Sequence, residues 1–327
     1  MTSSASFYTL QAANRRNSVL LMISVALLLG LLGFTIGFGL TGTLAGAGVV
    51  TVAAVVVAAL LASGSYYRGD ALVLAASQAR EVTTTSQPRL MNIVQEMTIA
   101  ADLPMPRVYL IDDTAPNAFA TGRDPEHASI AVTTGLISVL SREELQGVIG
   151  HELSHVRNLD IRFTLLVGVM VGGIALLADM LIRYTFWFGG GRRSRGGDRG
   201  GGGLQAAVFV IAIVLALVAP AVARVVQMAV SRQREYLADA SAVELTRNPE
   251  GLEQALRKIA SDQEVLEVAN RSTQHLYIVN PIKKFEQRAQ GLFSTHPPIV
   301  DRINRLRVMR GAGPTAGVEH DRLSSLD

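Results

Sequence analysis

The chain of 327 residues contains no cysteine. Disulfides, iron–sulfur clusters, thiolate metal sites and a cysteine nucleophile are therefore all excluded. Charge is scarce as well: Asp, Glu, Lys and Arg make up 17% of residues, against about 25% in an ordinary soluble domain. Lysine occurs only at Lys258, Lys283 and Lys284, so the net charge of +3 rests almost wholly on arginine. Hydrophobic residues fill the gap at 49%, with a mean hydropathy of +0.31. A mild basic excess on so apolar a chain suits anionic lipid better than nucleic acid.

The apolar residues are gathered into four runs: Val19 to Leu40, Leu44 to Ala62, Phe163 to Ile182 and Leu204 to Ala223, of 22, 19, 20 and 20 residues. Crossing the hydrocarbon layer takes about 20 residues at roughly 1.5 Å rise each. The expectation is a mainly α, integral membrane protein with four transmembrane helices. Arg15 and Arg16 precede the first run as in a twin-arginine export signal, but that run is too long for the apolar part of a cleaved leader. The chain divides into a cytoplasmic tail (1–18), a first hairpin (19–62), a soluble part (63–161), a second hairpin (163–223), a second soluble part (224–310) and a disordered tail (311–327). Residues 189–203 read GGGRRSRGGDRGGGG, a composition that forms no packed element and suits a flexible basic loop near headgroups.

With the N-terminus inside, eight arginines flank the spans on that side and five on the other. This places both soluble parts in the cytoplasm of a multi-pass inner-membrane protein. Gly33 with Gly37, and Gly168 with Gly172, have the spacing that lets two helix backbones approach within one chain. Asp179 falls near a span end, where it reaches headgroups.

The first soluble part opens with a helix through Gln87–Met97, which Pro104 and Pro106 terminate. Three short runs with strand character follow: Arg107–Ile111, Asn117–Thr121 and Ala128–Thr133. Asp, Pro and Gly clusters separate them as hairpin connections would, so a small sheet is expected here. Ser141 with Glu144 then forms a capping box ahead of Leu145, Val148, Ile149, Leu153 and Val156 at helical spacing.

On that helix lies His151-Glu152-Leu153-Ser154-His155, an H-E-x-x-H motif. Residues four apart share one face of a helix, so both imidazoles can reach a single ion. Glu152 points beside the ion and is placed to take a proton from the attacking water. With six histidines in the chain, the motif arises by chance in roughly one sequence in 200. The bland alternative is a pair of surface histidines on an amphipathic helix.

A catalytic zinc requires a third protein ligand and one open position. Helical sequence resumes after the fourth span, and there Glu235 and Asp239 are four apart on one face. Glu235 is the candidate ligand, and Asp239 a candidate acceptor for the far nitrogen of a ligating histidine. From spacing alone, a solvated acidic face explains the pair equally well.

Taken together, His151–His155 and the Arg234-Glu-Tyr-Leu-Ala-Asp239 segment resemble the HtpX-type membrane zinc metalloproteases, which are gluzincins related to the CAAX prenyl endopeptidases. Asn117-Ala-Phe-Ala120 and Ser294-Thr-His-Pro297, with Arg302 after it, match as well, and the resemblance runs from the first hairpin to about residue 310. It implies a zincin-like α+β catalytic domain with an edge-exposed sheet. It also implies one Zn²⁺ per chain held by His151, His155 and Glu235, with Asp239 behind them. Asn117, Ala118 and Phe119 would hold substrate backbone by strand addition. His296 would position substrate or stabilise the oxyanion, and Arg302 is read as structural. The Arg/Gly loop departs from the usual pattern.

His155 precedes the third run and Glu235 follows the fourth, so two ligands of one ion require an even number of crossings between them. Arg162 lies seven residues beyond His155, roughly 10 Å along a helix, which sets the metal close to the bilayer surface. The resulting expectation is a zinc endopeptidase that hydrolyses membrane or misfolded proteins, a quality-control and stress-response role implied by the resemblance. A prenyl-protein processing protease and a non-catalytic membrane scaffold with a metal site are the alternatives.

Overall fold

The computed structural model describes residues 44–164, 234–262 and 297–313, part of 16–43, and the single positions 264, 266, 277 and 278. The second expected hairpin beyond residue 164, the loop 189–203, residues 1–15, His296 and the tail from 314 lie outside them. The chain forms two compact units, one of residues 16–67 and 166–226, the other of the remainder.

In the first unit, a helical arm over the described positions of 16–41 turns at Gly42, whose φ is 68°, into helix α1 (Leu44–Ala76). The arms touch at the two glycines of the expected pair. A Cβ on Gly33 would stand 2.8 Å from the Ala54 Cβ, and one on Gly37 2.8 Å from the Ala47 Cα. Thr35, Thr41 and Thr51 return their hydroxyls to the carbonyl four residues earlier, at 3.0, 2.8 and 2.8 Å. Val49, Val52, Val56 and Leu60 are exposed on α1. Among the described residues, no helix is long and apolar enough to cross a membrane.

The second unit is built on a four-stranded sheet of β1 (Arg80–Glu81), β2 (Arg107–Ile111), β3 (Ala118–Gly122) and β4 (Ala128–Thr133), in the order β1-β2-β4-β3. Two strands form over the expected residues and the third begins one residue late. The connections differ from simple hairpins. β4 pairs parallel to β2, with Val108 opposite Ile130, and antiparallel to β3, with Ala120 opposite Ile130. The chain between β2 and β3 therefore leaves a gap that β4 fills, and β3 becomes the edge.

Helix α2 (Pro88–Ala101) occupies the expected place and ends at Asp102 in the left-handed region, φ 53°. After the short α3 (Thr134–Val139) comes α4 (Arg142–Arg157), which carries the histidine motif. Its capping box is complete: Ser141 Oγ accepts from the Glu144 amide at 3.3 Å, and Glu144 accepts from the Ser141 amide at 2.7 Å. Helix α5 covers the described residues 234–246. α6 (Pro249–Ser261) and α7 (Ile299–Met309) complete the unit.

One apolar core joins these layers, with Ile93 of α2, Ile130 of β4, Leu145, Val148 and Leu153 of α4, Leu256 of α6 and Ile303 of α7 all buried. The motif helix is thus clamped between sheet and helices instead of lying on a surface. Its closest approach is to α6, where a Cβ on Gly147 would meet the Leu252 amide nitrogen at 2.8 Å. Gly147→Ala is therefore expected to destabilise the protein by about 1–3 kcal/mol. Gly48→Ala serves as control, because a Cβ there meets nothing within 4 Å. Thermal melting of both variants checks this, and equal melting temperatures would contradict the tight contact.

Candidate metal centre

Helix α4 presents His151 and His155 one turn apart, with their Nε2 atoms separated by 3.2 Å. Helix α5 brings Glu235 against both, Oε2 at 3.5 Å from His151 Nε2 and Oε1 at 3.6 Å from His155 Nε2. The three expected ligands therefore converge, and the solvated-face reading of Glu235 and Asp239 fails: they are 6% and 2% exposed.

The outer nitrogens explain why the inner ones converge. His151 Nδ1 donates to Asp239 Oδ1 at 2.9 Å, the bond expected of Asp239. His155 Nδ1 lies 3.1 Å from Asp160 Oδ2. With each Nδ1–H given to a carboxylate, it is the Nε2 of each ring that faces Glu235. A tetrahedral ion with bonds of about 2.05 Å holds its ligand atoms about 3.3 Å apart. The Nε2 pair at 3.2 Å meets that spacing, and one ligand atom from each of the three residues lies within 4.8 Å of the others, a donor set that can hold a single ion.

Sequence reasoning missed Asp160. The signal was an acid placed just past the helix end, where Leu159 adopts φ 61° and turns the chain back toward His155. Arg234 adds a positive charge there, its Nε 3.4 Å from Asp160 and its guanidinium 3.8 Å above the Phe163 ring. Arg302, read as structural, is the other charge behind the site. Arg302 is 1% exposed, and its Nε and Nη2 donate to the two Asp239 oxygens at 2.9 and 2.7 Å. Its Nη1 lies 3.3 Å from Glu235 Oε2.

Charge and burial compete throughout this site. Burial alone would lower the pKa of His151, but hydrogen bonds to Asp239 and Glu235 outweigh it and raise it to about 9 in the metal-free protein. His155 follows the same pattern, with burial opposed by Asp160, and its pKa is also raised. Burial would raise the pKa of Asp239, yet Arg302 and His151 hold it below the usual carboxylate range. Glu152 goes the other way: burial, only partly opposed by the two histidines and the Ala120 amide, pushes its carboxyl up. A base of raised pKa is suited to accept a proton and return it near neutrality.

The Ala120 amide that reaches Glu152 belongs to β3. Backbone groups of alternate residues face opposite sides of an antiparallel strand. Thr133 N donates to Asn117 O at 3.0 Å on the β4 side, so Asn117 and Phe119 face inward and Ala118 and Ala120 face out. Of the three residues expected to hold substrate backbone, Ala118 lies in the outward row and Asn117 and Phe119 in the inward one. The Ala118 carbonyl accepts from the Ile278 amide at 3.0 Å. The Phe119 side chain is fully buried, edge-on to Tyr277 at 5.0 Å between centroids.

Two histidines and a glutamate around one ion, with a buried acid beside them at a sheet edge, define a metal-dependent peptidase of the H-E-x-x-H class. The chain belongs to peptidase family M48, whose family model matches residues 84–310. It is similar to a protease HtpX homolog of Lactiplantibacillus plantarum, 46% identical over 300 residues that cover 91% of this chain and 98% of that protein. A protease HtpX homolog of Streptococcus uberis is 42% identical over 298 residues, with the same coverage of 91% and 98%. The crystal structure of S. mikatae Ste24p aligns over 74% of this chain and 55% of that one, at 17% identity and a TM-score of 0.43. The chain is a metalloendopeptidase, and its substrates are polypeptides.

Metal binding must displace the proton that the carboxylates hold on His151. Because the metal-free pKa is raised to about 9, affinity is lost as pH falls below that value. For one released proton, zinc affinity should rise about tenfold per pH unit between pH 7 and 9. Chelator competition at pH 7, 8 and 9 measures it, and a pH-independent affinity would refute the protonated resting state.

Proposed function

We propose that the ion is zinc, held by His151, His155 and Glu235, and that the enzyme hydrolyses peptide bonds of membrane or misfolded proteins. The observation that carries this reading is the buried ligand triangle with Glu152 beside it. Two nitrogens and one carboxylate oxygen, with no thiolate available, suit zinc in a catalytic site. When bound, zinc supplies Lewis acidity to water and to the scissile carbonyl.

The chain's own residues do the rest. Glu152 accepts the proton of the attacking water and hands it to the leaving amine, a shuttle for which its raised pKa fits it. Asp239 and Asp160 keep the two imidazoles in one tautomer and orientation. An extended substrate is assigned to the outer edge of β3, where it would take over the Ala118 carbonyl from the Ile278 amide, with Asn117 and Phe119 fixing that strand from within. His296, three residues before α7, is assigned to the developing oxyanion on the family resemblance.

Membrane attachment is supported by the four apolar runs and by the aliphatic side chains that α1 exposes. The arginine distribution favours catalysis on the cytoplasmic face of the inner membrane. Such a position suits a quality-control protease, because damaged membrane proteins present extended segments there.

The test is Glu152→Ala in the full-length protein. Zinc stoichiometry should equal that of wild type, while casein hydrolysis and self-cleavage fall by about 10²- to 10⁴-fold, the usual contribution of a general base. Zinc-dependent cleavage that persists in this variant would sink the mechanism.

A further inference from the structure

The geometry points to Arg302 as a positioning residue that makes Glu235 a one-oxygen ligand. Its guanidinium meets Asp239 behind His151 and Glu235 in the triangle itself. Nε and Nη2 grip Asp239 at 2.9 and 2.7 Å, and Nη1 lies 3.3 Å from Glu235 Oε2. The two oxygens of Glu235 are thereby made unequal. Oε2 faces both Arg302 and His151, whereas Oε1 faces His155 at 3.6 Å. A guanidinium paired at 3.3 Å with one oxygen places a positive charge that competes with an ion for it and leaves the other oxygen to ligate.

Arg302 also fixes which way Asp239 serves His151. Its Nη2 donates at 2.7 Å to the same Asp239 Oδ1 that stands 2.9 Å from His151 Nδ1, and since a carboxylate only accepts, Nδ1 gives its own proton to that oxygen. The Arg302 fork is itself anchored, because Nη1 donates to the Ile278 carbonyl at 2.9 Å. Planar, five-donor geometry is what the position uses, and a lysine with one point charge cannot reproduce it. A bulk structural role would require charge neutralisation only. The arrangement at Glu235 requires direction as well.

This inference rests on the zinc reading above, and metal binding tests it without any cleavage assay. Arg302→Lys keeps the charge and loses the fork; Arg302→Gln keeps a planar donor on a shorter stem and loses the charge. Both full-length variants should bind zinc about 10- to 100-fold more weakly, the usual effect of losing a group that orients a ligand. Cobalt-loaded wild type should show the intense visible absorption of a four-coordinate ion, and the variants a clearly weaker one as Glu235 supplies both oxygens. Folded variants with zinc affinity within threefold of wild type and an unchanged cobalt spectrum would overturn the assignment. If neither variant folds, wild type alone decides, because a weak, six-coordinate spectrum there overturns it equally. A wild type that binds zinc as expected and cleaves nothing would instead refute the protease reading and leave Arg302 in place.

Discussion

Two carboxylates gripping the outer nitrogens of two buried imidazoles are the constraint on which the catalytic unit depends. Asp239 holds His151 and Asp160 holds His155, and each bond dictates where the opposite nitrogen points. Without them the rings would be free to rotate, and the donor atoms would not face one another across 3.2 to 3.6 Å. The cost is a dense set of buried charges. Asp239, Glu235, Glu152 and Asp160 are each 6% exposed or less. Arg302 and Arg234 offset that charge from opposite sides, which is the condition under which buried ions persist.

The fold serves this arrangement by bringing distant pieces of chain to α4. Its own capping box and the contact at Gly147 fix the helix axis. The ladder of β4 against both β2 and β3 puts β3 at the edge, so its outward amide at Ala120 reaches Glu152. One residue of β3 is therefore tied to Glu152, so a shift of the strand moves the Glu152 carboxyl with it.

Much of this is legible in the sequence because it is local. The capping box, the histidines four apart and the strand runs at 107–111 and 128–133 each depend on residues within a few positions, and the structure places them as expected. Glu235 and Asp239 were ambiguous, since helical spacing gives a shared face without saying what that face meets. Asp160 escaped because its role depends on a left-handed turn at Leu159, a conformation that no leucine signals. Arg302 is singled out by the family resemblance, but its partners are not, since it meets Asp239 across 63 positions of sequence. Sheet order was misjudged for the same reason, because pairing β2 with β4 is a long-range choice that turn residues do not encode.

The most direct test of the central claim is X-ray absorption at the zinc edge of the full-length protein loaded with one equivalent of metal. A site oriented in advance by Asp239 and Asp160 predicts four light-atom ligands at about 2.0–2.1 Å, with the outer-shell signature of two imidazoles. A first shell of six oxygens, or one without imidazole scattering, would contradict it.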